Sequence, residues 1–398
     1  MSRYCYEAIM PSSNSQDLHL AHPTTDECRR ISINTFASWG DSLELADYLK
    51  ESLFLSTIPL AKDSGQTNWI LVDKNLAAEQ RDILCSCESF KKRALVSDTG
   101  GRVEERLIHG IASVFCPPEY RGQGYAARHM RELAVRLRDW QSDQAPVIAS
   151  VLYSDIGKIF YARLGWTPNP TNMHIEFAPQ RILNSSISAR KILEHDLAAL
   201  CERDEAMIQA AMTTASPGMQ KRVVILPDID HMLWHIRKED FATKHLFGTT
   251  PLAKGAIAGP PGKQVWAIWT HRYYGRPDAA SPSNVLYILR LVIEGDDSAN
   301  KQTSIGPMNP DHRLPEGQAA HLEAVLRAAQ NEAAEWQLNC VKLWEPSPWA
   351  HKAIASSLID HTVVEREEDS IASIMWYIDD GHVKTPPVFI NNEHYAWL

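Results

Sequence analysis

The residues of this chain with the clearest chemical meaning are Cys116-Pro117-Pro118-Glu119-Tyr120-Arg121-Gly122-Gln123-Gly124-Tyr125-Ala126. A turn rich in glycine that opens a helix leaves several backbone N–H groups unpaired at the positive end of the helix dipole. Such a turn suits an anion, above all a phosphate. Glycine at 122 and 124 lets the backbone approach that anion with no Cβ in the way. A second stretch with reactive side chains runs Tyr153-Ser154-Asp155-Ile156-Gly157-Lys158-Ile159-Phe160-Tyr161-Ala162-Arg163-Leu164-Gly165-Trp166.

Both stretches need regular elements to hold them. Leu107 to Cys116 reads as a strand stopped by Pro117-Pro118, which cannot continue a ladder. Ala126, Met130, Leu133, Ala134 and Leu137 then make one apolar stripe of a helix. Val147 to Leu152 is a near-continuous apolar run, as a buried central strand should be. Ile156 to Leu164 follows as a short helix ended by Gly165. Upstream, Leu18 to Pro23 predicts a strand, and Thr24 with Glu27 a capping box at the start of a helix. A second helix carries Leu45, Leu49 and Leu53, and strands are predicted at Trp69–Val72 and Asp82–Ser89. With His174 to Phe177 as a last strand, the order is β-α-α-β-β-β-α-β-α-β. Beyond a polar stretch at Ala178 to Arg190, strands are expected at Val265–Trp269, Val285–Ile293, Cys340–Trp344 and Ile371–Tyr377. Between them lie a hydrophilic loop, Gly295 to Gly317, and a helix whose stripe is Leu322, Val325, Leu326, Ala329, Ala333 and Trp336.

The order strand, Pro-Glu-Tyr, Arg-Gly-x-Gly-x-Ala, helix resembles the acyl-CoA-binding motif of the GNAT (Gcn5-related) N-acetyltransferase superfamily. The stretch from Tyr153 to Trp166 resembles that family's Asn-x-x-Ala-x-x-Phe-Tyr-x-x-Leu-Gly-Phe element. The resemblance implies an α/β (α+β) GNAT fold in two tandem GNAT-like domains. Residues 1–185 would be the catalytic domain that binds acetyl-CoA. Residues 186–398 would be a degenerate repeat shaping the acceptor site, since nothing like Arg-Gly-x-Gly precedes Leu322. It further implies acetyl-CoA, or another acyl-CoA, as co-substrate. Backbone groups of Val114, Phe115 and Cys116 would hold the pantetheine arm and thioester carbonyl, and Arg121, Gly122, Gln123, Gly124, Tyr125 and Ala126 the pyrophosphate. Ser154 stands where many relatives have an asparagine that reaches the pantetheine. Tyr161 falls on the position whose phenol protonates the departing thiolate in many members; a thiol near pKa 8.5 and a phenol near 10 make that transfer cheap. Glu105 and His109, with Glu104 beside them, are candidate general bases, and a water chain is an alternative. Cys116 has no histidine paired with it in sequence and reads as a packed strand residue, not an acyl carrier.

More particularly, the Leu-Tyr-Ser-Asp-Ile-Gly stretch from Leu152, the tandem length and the terminus Phe389-Ile390-Asn391-Asn392-Glu393-His394-Tyr395-Ala396-Trp397 resemble the fungal LYC1-like lysine acetyltransferases. That resemblance implies acetyl transfer to the ε-amine of free L-lysine by direct attack in a ternary complex. Tyr153 and Glu393 are the candidate acceptor-binding residues, and the aromatic tail is expected to dock. Two alternatives stand beside it: an acyltransferase of fungal secondary metabolism with another amine or alcohol, and a GNAT-like scaffold that binds without catalysis.

Bulk properties narrow the partners. The 398-residue chain carries a formal net charge of -9, with no basic stripe for a nucleic-acid backbone. Its seven cysteines are scattered, odd in number and without metal-ligand spacing, which points to reduced thiols and to no metal cofactor. No basic-then-apolar leader and no membrane-length apolar run is present, so no membrane partner and a cytoplasmic location are expected. The expected partner is a small-molecule amine.

Overall fold

The computed structural model describes residues 11–181, 188–215, 220–279, 283–295, 317–377 and 386–398. Most of the hydrophilic loop Gly295 to Gly317, part of the stretch Ala178 to Arg190, and Cys5 lie outside the described residues. The chain begins β1 (Leu18–Ala21), α1 (Thr25–Trp39), α2 (Leu45–Leu55), β2 (Gln66–Asp73), β3 (Cys85–Ser97), β4 (Val103–Phe115), α3 (Tyr125–Leu137) and β5 (Val147–Ser154). It continues α4 (Ile159–Ala162), β6 (Thr167–Pro168), β7 (Met173–Phe177), β8 (Arg190–Ile192), α5 (Leu197–Met212), β9 (Arg222–Ile225), α6 (Ile229–Phe247) and β10 (Gly255–Ala258). It closes with β11 (Val265–Arg272), β12 (Val285–Ile293), α7 (Gln318–Glu335), β13 (Cys340–Trp344), α8 (Pro348–Ala355), β14 (Thr362–Glu365), β15 (Ile371–Trp376) and β16 (Val388–Phe389).

Local chemistry explains most of these boundaries. Thr24 Oγ1 accepts from the Glu27 amide at 3.2 Å, while Glu27 Oε2 accepts from the Thr24 amide at 2.8 Å, the reciprocal cap the sequence predicts. The α3 stripe is buried at Met130, Leu133 and Leu137. β3 departs from expectation: it runs eight residues past Ser89, to Ser97, through the charged run Lys91-Lys92-Arg93. Lys92 is fully buried there because its Nζ donates to the Ala396 carbonyl at 2.6 Å, a partner far away in sequence.

Among the described residues the strands form two sheets. The nine-stranded sheet has the order β1-β2-β3-β4-β5-β15-β6, with β9 on the outer half of β3 and β16 on β9; the seven-stranded sheet has the order β14-β7-β13-β12-β11-β10-β8. Each contains one parallel pair bridged by a long helix, β4–α3–β5 in the first and β12–α7–β13 in the second, so the second half repeats the first. The halves also exchange strands. β15 fills the slot between β5 and β6, while β7 fills the matching slot between β13 and β14. The expected division at residue 185 is therefore a division of the chain and not of the sheets. His174 to Phe177 serves the second sheet, and Ile371 to Trp376 completes the first.

The sheets share a core. Ala94, Ile108, Ile148 and Val151 of the first pack with Ile257, Trp266, Leu289 and Val292 of the second, and Tyr395 of the tail lies among them. The tail is held by polar contacts as well: Tyr395 O–H donates to the Ile225 carbonyl at 2.6 Å, and Leu291 N–H donates to Glu393 Oε2 at 2.8 Å.

Candidate active site

The site begins with a kink in β4. Between the pairs Ala112–Glu88 and Phe115–Ser86, β4 spans three steps against two on β3, a bulge of one residue. Ser113 takes it up in the left-handed region, φ 54°. On its other side β4 pairs with β5 as far as Ile111 and Leu152, although both strands continue, to Phe115 and Ser154. Past that pair the two strands diverge. The freed edge of β4 (Ala112, Ser113, Val114) borders a cavity of about 1530 Å³ that also touches α1, α2 and the second sheet. Its strand-edge polar groups are available to a ligand.

The turn that follows is built for an anion. Gly122 has φ 75° and Gly124, at the N-cap of α3, φ 88°. Arg121 to Gly124 are exposed, and the first amides of α3 have no acceptor within the helix. Arg121 Nε donates to the Cys116 carbonyl at 2.9 Å and Gln123 Nε2 to the Glu119 carbonyl at 3.0 Å, so both side chains brace the turn. Tyr125 is buried and donates to the Pro11 carbonyl at 2.7 Å, and Ala126 is half-buried beside it. These features fit the diphosphate and pantetheine of a CoA ester: left-handed glycines, open amides, and a strand edge beginning a few residues before. Phe115 packs edge-on against Trp39, and Cys116 packs beside Leu18, Leu84 and Tyr125.

Of the predicted side chains, Val114, Tyr153 and Tyr161 line the cavity. Tyr161 is buried, and burial pushes its phenol well above the ordinary value. Handing its proton to a thiolate therefore costs more than the sequence suggests, and its cheaper role is to donate a hydrogen bond. Tyr153 donates to Asn392 Oδ1 at 3.3 Å, tying the cavity wall to the tail.

Four expectations are corrected. Glu105 is exposed, paired across the strands with Leu95 and bound to Arg93 at 2.9 Å, and it does not line the cavity. His109 is fully buried with Nε2 against the Trp140 carbonyl at 2.9 Å, and burial lowers its pKa to about 4, so it supports the core. Ser154 closes its own turn, donating to the Gly157 carbonyl at 2.8 Å and accepting from the Ile156 amide at 3.2 Å. Glu393 does not line the cavity. The β12–β13 pair ends at Ile288 and Leu343, just as the first pair does, and the Glu393 carboxylate takes the Leu291 amide in that second divergence and ion-pairs with Arg290. The place a pantetheine would need in the second repeat is filled by the chain's own tail.

The carboxylate that does reach the cavity is Glu88, on β3 opposite the bulge. It accepts from Ser113 Oγ at 3.1 Å and from Gln66 Nε2 at 2.9 Å. Its removal from bulk water raises its pKa above the ordinary carboxylate value, against the opposing pull of those bonds and of Lys238. That places a proton acceptor of enhanced basicity at the point where β4 leaves β5. Its sequence neighbours, Cys-Ser-Cys-Glu-Ser-Phe over residues 85–90, gave no signal that marked it out. A thiol also borders the cavity: Cys87 Sγ lies 3.1 Å from His129 Nε2. Burial raises that thiol and lowers His129 to about 3, so the contact joins two neutral groups. Among the described residues no group of three or more His, Cys, Asp or Glu side chains could hold a metal, and no helix is long and apolar enough to cross a membrane.

The chain is similar to a lysine acetyltransferase of Yarrowia lipolytica, 24% identical over 292 residues that cover 63% of this chain and 71% of that protein. Among solved structures it is similar to a GCN5-related N-acetyltransferase from Kribbella flavida (TM-score 0.49, 14% identity, 91% of this chain and 72% of that one). It is also similar to Saccharomyces cerevisiae N-myristoyltransferase with bound myristoyl-CoA (TM-score 0.48, 8% identity, 92% and 80%). A family model described as the LYC1 GNAT-like C-terminal domain matches residues 174–398, more than half of the chain. The chain thus belongs to the LYC1-like GNAT family and is an N-acetyltransferase of the GNAT type.

Proposed function

We propose that the chain moves the acetyl group of acetyl-CoA to the ε-amine of free L-lysine, by direct attack within a ternary complex. The observation that carries this reading is the conjunction of a freed β4 edge with Glu88 at its bulge, both facing one large cavity. In this reading Gly122, Gly124 and the open amides of α3 bind the diphosphate, and the edge of β4 binds the pantetheine and polarises the carbonyl. Bound acetyl-CoA supplies an acetyl group activated as a thioester. Glu88 accepts the proton of the attacking amine, and Tyr161 donates a hydrogen bond to the departing sulfur.

Direct attack is favoured over an acyl-enzyme because burial keeps the Cys87 and Cys116 thiols protonated. An amine acceptor is favoured because Glu365, Glu367, Glu368 and Asp369 border the cavity and attract a cation. Residues 1–185 supply the CoA site, while Arg272, Tyr287, Lys342 and Trp344 of the second half wall the acceptor space. The test is release of free thiol from acetyl-CoA in the presence of lysine, of polyamines and of amino alcohols. Release with lysine is the expected result; release only with another acceptor overturns the lysine assignment. No thermal stabilisation by any acyl-CoA would overturn the transferase reading itself.

A further inference from the structure

One cation of the cavity wall, Arg366, has no hydrogen-bond partner among the described residues. Arg366 is only 7% exposed, yet its Nε, Nη1 and Nη2 make no hydrogen bond. A guanidinium stays charged at any physiological pH and carries five donors, so burying it without acceptors is costly unless something else supplies them. The side chain is held in place, not adrift. Its guanidinium carbon lies 3.8 Å over the ring of Trp344, which covers one face and leaves the in-plane donors as the remaining bonding directions. Its backbone is fixed by Asn172, itself fully buried: the Arg366 amide donates to the Asn172 carbonyl at 2.9 Å. On either side, the Asn172 amide donates to Glu365 Oε1 at 2.8 Å and the Ala372 amide to Asn172 Oδ1 at 2.9 Å. The segment joins β14 of one sheet to β15 of the other, so both sheets set its position.

The nearby carboxylates are engaged elsewhere. Glu345 accepts from the Met173 amide at 2.7 Å and from Thr171 Oγ1 at 3.2 Å, and burial raises it to about 7, so it is a weak counter-charge. Glu365 Oε1 is taken by Asn172. Arg366 lines the same cavity as Glu88 and the freed edge of β4. Tyr153, one residue past the last β4–β5 pair, lies beside Trp344 with ring centroids 6.1 Å apart, and Tyr287 is 6.3 Å from it. An aromatic wall therefore connects the guanidinium to the point of divergence.

We propose that Arg366 is the receptor for a carboxylate on the acceptor, the residue that selects an amino acid over an amine lacking that group. The inference rests on the transferase reading for the word acceptor, but not for the binding itself. A planar fork of donors takes a carboxylate through two parallel hydrogen bonds, and among the described residues no acceptor meets those donors.

The test is calorimetric binding, in the presence of CoA, of basic amino acids each paired with its carboxamide. The amide has the same shape and amine and lacks the negative charge. Wild-type protein should bind the acid on the order of 100-fold more tightly than the amide, and Arg366→Ala should erase that ratio while leaving CoA-induced stabilisation unchanged. Arg366→Lys, which keeps the charge and loses the fork, should retain part of it. Equal binding of acid and amide by the wild type would overturn the proposal, and that comparison needs no variant to fold. The two readings also fail separately. Carboxylate-dependent binding with no thiol release would remove the transferase and leave the role of Arg366 standing. Release of thiol from acetyl-CoA at equal rates with acid and amide as acceptors would do the reverse.

Discussion

At the scale of single residues, the chemistry depends on what burial does to a carboxyl and a phenol. The raised pKa of Glu88 means that it must lose a proton before it can act, so kcat/KM should rise with pH along a limb above the ordinary carboxylate value of about 4.3. Glu88→Gln should lower turnover by roughly 10²–10⁴-fold and abolish that limb; a variant whose pH profile still shows it would assign the base elsewhere. Tyr161→Phe removes a donor without altering the diphosphate turn. Turnover should fall by roughly 10-fold to 100-fold with CoA affinity unchanged, and steady-state rates measured beside thermal shifts separate the two quantities.

At the scale of elements, the CoA grip is a matter of backbone shape. Gly122 and Gly124 both sit at positive φ, but a Cβ at 122 would meet nothing within 4 Å, whereas one at 124 would lie 2.8 Å from Ser13 Oγ. Alanine at either position carries about 1–2 kcal/mol of left-handed strain; at 124 it must also push aside the Ser13 hydroxyl. CoA present at a hundredfold excess over its Kd should stabilise the wild type by about 2.7 kcal/mol. That increment should shrink more in Gly124→Ala than in Gly122→Ala, and an increment undiminished in both variants would show that the turn does not hold the diphosphate.

At the scale of the whole molecule, exchanged strands and a buried tail join the halves. Arg290 of β12 binds Asp204 of α5 at 2.7 Å and also Glu393 of the tail, and all three are buried. Arg290→Ala leaves two uncompensated carboxylates and should cost about 3–5 kcal/mol, read as a lower midpoint in denaturant. Since neither sheet is complete without strands from the other half, the wild type should unfold in one calorimetric transition; two resolved transitions would contradict that. Stability should also depend on pH above neutrality. Burial alone would lower His271, but the Glu239 and Glu332 carboxylates outweigh it and raise its pKa to about 9 from an ordinary 6.5. The stabilisation from that charged pair is fully present below 6.5 and is lost as pH rises through about 9, so the melting temperature should fall across that window in wild type and not in His271→Gln.

Much of this was legible in residue order because it is local. The capping box at Thr24, the stripe of α3, the apolar run of β5 and the Arg-Gly-Gln-Gly turn depend on neighbours a few positions away, and short-range periodicity and backbone preference record such things faithfully. What residue order did not contain is which distant group would meet which. Lys92 reads as a surface charge until Ala396 is seen to accept from it, and Glu393 reads as a free carboxylate until the Leu291 amide is seen to take it. The destination of β7 and β15 was hidden for the same reason, since two similar slots compete and local pattern favours neither. Glu88 and Arg366 look ordinary in sequence, and only the bulge at Ser113 and the stacking on Trp344 turn them toward one cavity. The sequence by itself determined the Arg-Gly-Gln-Gly turn and the family to which the chain belongs. The tertiary structure alone decided which charges stand unpaired around the cavity among the described residues, because an unpaired charge is defined by everything that fails to reach it.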